Sequence, residues 1–139
     1  MKRRDWVLAV LAAAVGEPVT PVQLQKTLFL LEKECPQIGG RRYYKFTPYA
    51  YGPFDSTVYV DTRELAAEGL TTISQPDYGT REYRITEAGA RAAEGLKVDK
   101  DVRQALDRIV EHVRSLSFRQ LLSEIYRRFP DMRERSVFR

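Results

Sequence analysis

Two short segments, Thr71 to Ser74 and Arg81 to Thr86, flank the run Pro76-Asp77-Tyr78-Gly79, whose residues are turn formers. Together they predict a β-hairpin. A two-stranded hairpin is marginal alone and needs helices to lie against, and both of its neighbours read as helices. On the N-terminal side, Gly69-Leu70 stops a helix: Gly supplies the left-handed residue and Leu70 folds back onto the last turn. On the C-terminal side, Thr86 can cap an Ala-rich helix that continues to about Glu94.

Upstream, Trp6, Val10, Leu11 and Ala14 recur at helical spacing with Val7 widening the stripe, so a first helix is expected from about Arg4 to Ala14, where Gly16-Glu17-Pro18 ends it. Thr20-Pro21 is a start signal for a second helix carrying Leu24, Leu28 and Leu31 and ending near Glu34. Cys35-Pro36 and Gly39-Gly40 then break the chain, and Pro48 argues against a helix through RRYYKFTPYAY, residues 41–51. Gly52-Pro53 makes a further turn, after which Asp55 or Ser56 can cap a third helix bearing Val58, Tyr59, Leu65 and Ala66. Helix, helix, helix, hairpin, helix is the order of a winged helix-turn-helix, in which the third helix enters the DNA major groove and the hairpin is the wing. The expected fold is therefore α+β, mostly α, with this winged domain over residues 1–96. Lys97 to Lys100 reads as a linker. Beyond it, Val102, Leu106, Ile109 and Val113 mark a fifth helix. Ser117 with Gln120 forms a capping box for a sixth, whose stripe is Phe118, Leu121, Leu122, Ile125 and Phe129. This C-terminal pair, 97–139, is expected to pack on the winged domain or to mediate homodimerisation.

Four stretches carry a resemblance. They are Leu24-Gln25-Lys26-Thr27-Leu28-Phe29-Leu30-Leu31, Phe46 to Ser56 with its Tyr51-Gly52-Pro53 core, Leu65 to Leu70, and Tyr83 to Gly89. In this order they resemble the small bacterial winged-helix proteins related to the Panacea, or SocA-like, antitoxin domain and the YwgA-like proteins. Tyr126-Arg127-Arg128-Phe129-Pro130 is similar to the helix end of the YwgA-like branch. The resemblance implies a winged helix used in antitoxins, proteolytic adaptors or regulators linked to mobile elements and defence. It implies no catalytic residues and leaves open whether DNA or protein is the main partner.

Charge is unevenly distributed. The chain carries a formal +4, yet residues 51–70 hold Arg63 against Asp55, Asp61, Glu64 and Glu68, a net of −3. An acidic recognition helix is repelled by phosphates unless its carboxylates turn away. Ser56, Thr57, Tyr59 and Thr62 remain as uncharged donors to bases or phosphates, with Arg63 as the helix's one cation. Arg41, Arg42 and Lys45, and on the wing Arg81 and Arg84, are the candidate phosphate anchors on double-stranded DNA. The competing reading is that these cations are simply solvated.

Seven of the fifteen aromatic residues fall between Tyr43 and Tyr59. Aromatics edged with Arg have the composition of a protein–protein hot spot. Tyr43, Tyr44, Tyr49, Tyr51 and Phe54 are thus the candidate interface for a partner protein such as a toxin, or alternatively a wall of the core. A small groove for a regulatory ligand is the weaker use of the same residues.

Catalysis is not expected. Cys35 precedes a proline with no His or Asp partner nearby, the single His112 lacks metal-ligand spacing, and Gly39-Gly40 lacks the Lys and Ser/Thr of a phosphate loop. No cofactor or metal is expected. Met1 to Arg4 followed by an apolar run looks like a secretory leader, but Asp5 interrupts it, and the run is far short of the ~20 residues that span a bilayer. A cytoplasmic chain with no membrane partner is expected.

Overall fold

The computed structural model describes residues 1–138. It holds six α-helices: α1 (Arg3–Ala13), α2 (Pro21–Glu34), α3 (Thr57–Ala67), α4 (Glu87–Glu94), α5 (Lys100–Ser115) and α6 (Phe118–Arg128). Two antiparallel hairpins interrupt them, β1 (Thr47–Tyr49) with β2 (Gly52–Phe54) and β3 (Thr71–Ser74) with β4 (Glu82–Ile85). The class is α+β and mostly helical, as expected.

α1 and α2 are the centre of the molecule. Every residue of α1 from Trp6 to Leu11 is buried, against α2, α3, α4, α5 and β4. A helix that is apolar all round must be enclosed, which accounts for the leader-like run at the N-terminus. No helix among the described residues is long and apolar enough to cross a membrane. α2 is buried without a gap from Leu24 to Leu31, polar Gln25, Lys26 and Thr27 included. Its start is as the sequence predicts: the Thr20 hydroxyl accepts from the Gln23 N–H at 3.2 Å, and the Gln23 side chain accepts from the Thr20 N–H at 2.9 Å.

α5 lies along α2, and its face of Val102, Leu106, Ile109 and Val113 joins the same apolar cluster as α1 and α2. The expected linker contributes too, since Val98 lies half-buried on that cluster, as does Leu96 just before it. α6 adds Leu121 and Ile125. The His112 ring on α5 meets the Glu124 carboxylate on α6 at 2.8 Å.

The β3–β4 hairpin is anchored at both ends. Val19, between α1 and α2, exchanges two backbone hydrogen bonds with Tyr83 at 2.9 and 2.8 Å, adding one residue of a third strand. At the base, the Thr86 hydroxyl donates to the Gly69 carbonyl at 2.7 Å and accepts from the Gly89 N–H at 3.0 Å. Gly69, with φ of 75°, takes the left-handed turn expected of it, and the Leu70 N–H returns to the Leu65 carbonyl at 3.0 Å.

The first hairpin was not legible in the sequence. Pro48 lies opposite Pro53 in register. Alternate pairs of an antiparallel ladder exchange no hydrogen bonds, so two prolines can oppose each other there without leaving a carbonyl unpaired. The end of the aromatic stretch, residues 47–51, enters this ribbon, whose second strand lies on α2.

Candidate functional site

Part of the acidic charge of α3 is countered by its neighbours. Arg3, at the start of α1, forks onto Asp61, donating from Nε to Oδ2 at 2.9 Å and from Nη2 to Oδ1 at 2.8 Å. The Tyr44 hydroxyl donates to the same carboxylate at 2.6 Å. Asp61 is buried, and three donors satisfy it, as a buried charge requires. The hydrogen bond to Asp61 raises the Arg3 guanidinium above its ordinary value, while burial, then Asp61, push up the Tyr44 phenol. One turn on, Arg4 forks onto Glu68 and lies 3.9 Å from Glu64. The hydrogen bond from Arg4 holds the Glu68 carboxyl below the usual range.

Asp55 is likewise engaged. Its carboxylate accepts from the Lys45 N–H at 2.6 Å and from the Thr57 N–H and hydroxyl at 2.8 and 2.7 Å, so Asp55 rather than Ser56 performs the capping at the start of α3. What α3 turns outward is Ser56, Val60, Arg63, Glu64 and Ala67, a stripe at helical spacing that carries one cation, Arg63, and one carboxylate, Glu64, with the exposed Glu68 just past the helix end.

Of the residues expected to meet DNA, Ser56 and Arg63 stand on this stripe, and Lys45 is exposed beside the start of α3. Thr57 is not free to reach a phosphate, since its hydroxyl donates to Asp55, and Thr62 is buried with its hydroxyl donating to the Tyr59 carbonyl at 2.8 Å. Tyr59 is half-buried against Phe54 at 5.6 Å between ring centres, pulled in by the β1–β2 hairpin. Arg81 and Arg84 are exposed on the second hairpin; Arg81 donates to the Gln75 side chain at 3.4 Å, and Arg84 lies 3.9 Å from Glu82. Between the strands, Tyr78 is 94% exposed. Arg41 and Arg42 are exposed elsewhere: Arg42 donates to the Gln37 carbonyl at 3.0 Å and lies over Tyr43, whose ring meets the edge of Trp6 on α1.

The aromatic group divides. Tyr44 leaves the candidate interface, because Asp61 and Arg3 hold it in the core. Tyr43 is half-buried on α1. Tyr49 and Tyr51 are true surface residues, 54% and 47% exposed, Tyr49 stacked on Phe54 at 4.8 Å and Tyr51 edge-on to Phe118 at 5.5 Å. With Val22, Gln25 and Lys26 of α2 and Tyr59 of α3 they enclose a cavity of about 290 Å³.

Sequence reasoning passed over Lys26. It is 2% exposed, and its ammonium donates to the Pro53 carbonyl at 3.1 Å while pairing with no described carboxylate. Burial pushes its pKa down to about 7. Beside it, Gln25 clamps the backbone of Asp55, donating to its carbonyl at 3.0 Å and accepting from its N–H at 3.1 Å. The signal was available: Gln25-Lys26-Thr27 lies inside a helix whose other side chains from Leu24 to Leu31 are all apolar. Farther along α2, Glu32 accepts from the Tyr44 N–H at 3.3 Å, and burial pushes its carboxyl up to about 7.

Cys35 is buried and its thiol is pushed up by burial, away from thiolate chemistry. No grouping of three potential metal ligands occurs among the described residues. No protein-family model matches the chain, and no curated protein is significantly similar to it.

Proposed function

We propose that the chain is a winged-helix regulator that binds double-stranded DNA without chemistry, through α3 and the β3–β4 hairpin. The carrying observation is the engagement of α3's carboxylates by α1: Asp61 is buried on Arg3, Glu68 pairs with Arg4 at the surface, and the exposed Glu64 lies 3.9 Å from Arg4. The outward stripe of Ser56, Val60, Arg63, Glu64 and Ala67 then balances one cation against one carboxylate, with Arg4 near that carboxylate, so it does not repel a groove lined by phosphates as the bare count of −3 would. Val19 pairing with Tyr83 supports the winged reading, since it joins the loop before α2 to the hairpin after α3. Arg63 and Ser56 address base edges, while Lys45, Arg81 and Arg84 anchor phosphates. The insertion of the β1–β2 ribbon between α2 and α3 is the departure from a plain helix-turn-helix.

Fluorescence anisotropy with the protein's own upstream duplex and a scrambled one, at about 50 and 200 mM salt, tests this. Selective binding that weakens steeply with salt is expected, and Arg81→Ala with Arg84→Ala reduces the logarithmic salt slope by about two. Arg63→Ala narrows the gap between the two duplexes. Equal, salt-insensitive or absent binding overturns the reading.

A second reading has its own observation. Tyr49 and Tyr51 stand about half exposed on a ribbon whose other face is packed, the arrangement of an aromatic anchor for a partner protein, as in an antitoxin or adaptor. Such binding would survive high salt and be lost in Tyr51→Ala.

A further inference from the structure

We infer that the cavity under the β1–β2 hairpin is a binding site for a small organic carboxylate with a flat apolar body. The cavity is lined on one side by Val22, Gln25 and Lys26 of α2, on the other by Tyr49 and Phe54 of the hairpin, and at the end by Tyr59 of α3. Its lining contains one cation and no carboxylate. Apart from the Gln25 amide, which is engaged by the Asp55 backbone, and the tyrosine hydroxyls, the rest is apolar or aromatic, so a guest loses water from its body and must match a single positive charge.

The lysine is where that match is made. An ammonium offers three donors, and one described acceptor, the Pro53 carbonyl, occupies Lys26 Nζ. A buried lysine without a counter-ion is costly, and a carboxylate bound beside it supplies both the missing charge and the missing acceptors. Burial already lowers this lysine's affinity for its proton, in keeping with a cation that lacks its partner. The aromatic walls fix the shape of the guest's body: Phe54 and Tyr49 are stacked at 24° between planes, and a flat ring extends such a stack. Size follows from volume. A 150 Å³ cavity accepts benzene, so about 290 Å³ suits a guest of roughly a dozen non-hydrogen atoms. Tyr49 and Tyr51, about half exposed, form the rim through which it enters. The site stands whether or not α3 meets DNA, and its test uses no DNA.

Phenylacetate and indole-3-acetate serve as probes, with phenylacetamide and indole-3-acetamide as neutral isosteres. Each is titrated into the full-length protein and followed by amide NMR shifts and by melting temperature. The expected result is saturable binding of at least one acid, with shifts centred on Gly52, Phe54 and Tyr59, and binding of its amide weaker by about tenfold or more. Lys26→Met keeps the stem volume and removes the charge; it stays folded and binds acid and amide alike. Val22→Phe fills the cavity, keeps the lysine and abolishes both. Failure of both acids to bind, equal affinity for acid and amide in the unaltered protein, or undiminished selectivity in Lys26→Met overturns the proposal.

Discussion

Lys26 and Glu32 are ionisable groups on one buried helix, and both pay for their burial in proton affinity, in opposite senses. Lys26 falls from 10.5 to about 7. Between these values the unfolded chain holds a proton that the folded chain has released, so stability rises with pH through this window. Below about 7 the folded lysine is charged and the full penalty applies. Glu32 rises from 4.5 to about 7, so between those values the folded state holds the extra proton and stability falls as pH rises. The two effects meet near neutrality. Lys26→Met isolates the first of them. The variant is expected to be more stable than the parent at pH 7, and the difference narrows toward pH 10 with a limiting slope of ~1.4 kcal/mol per pH unit. Urea midpoints measured from pH 7 to 10 check this, and parallel profiles would show that the lysine is solvated. Asp61 shows the contrary arrangement, a buried carboxylate both of whose oxygens accept hydrogen bonds from Arg3 and Tyr44.

Among the elements, the join between α3, the second hairpin and α4 is the tightest. Gly89, in the third position of α4, lies directly against the Leu70 carbonyl, and a Cβ there would overlap that oxygen and crowd the Ile85 side chain. Because the oxygen belongs to backbone that also accepts from the Thr86 N–H at 3.1 Å, it cannot move aside cheaply. Gly89→Ala is expected to cost ~1–3 kcal/mol despite improving helix propensity, the size of an overpacking effect. Thermal unfolding measures it, and a stabilised variant would mean that α4 shifts freely on the hairpin. This join was readable in advance, because Gly69-Leu70, Pro76 to Gly79 and Thr86 are local signals acting within a few residues of themselves. The β1–β2 ribbon was not, because each of its prolines suits a strand only at a position where the ladder asks for no N–H, a fact of pairing rather than of local preference. The same limit applies to the candidate interface. The excess of acid on α3 could be counted, but its partial neutralisation by Arg3 and Arg4 joins residues far apart in the chain, and Tyr44 reads as interface or as core wall until Asp61 is seen to hold it inside. Ser56, Arg63, Arg81 and Arg84 were legible as exposed polar residues on elements whose apolar faces were already assigned.

At the scale of the whole molecule, the deciding question is whether α5 and α6 are an appendage to residues 1–96 or part of their core. α5 buries Val102, Ala105, Leu106, Ile109, Val110 and Val113, and its largest neighbour is α2, the helix that also carries Lys26 and supports the first hairpin. At ~1.5–3 kcal/mol for each large apolar side chain, that face contributes on the order of 10 kcal/mol, comparable with the ~5–15 kcal/mol net stability of a typical domain. Its removal would also expose the matching faces of α1 and α2 and leave Glu34 without Arg108. A fragment of residues 1–96 is therefore expected to lose its cooperative melting transition and its amide dispersion, while the full chain unfolds in one step by near- and far-UV circular dichroism. If the fragment instead melts cooperatively, α1 to α4 hold α2 unaided, and the C-terminal pair becomes available for another task, such as pairing two copies of the chain. The distinction bears on function, because an α2 whose position depends on α5 couples the C-terminal helices to the start of α3 through the Gln25 clamp on Asp55.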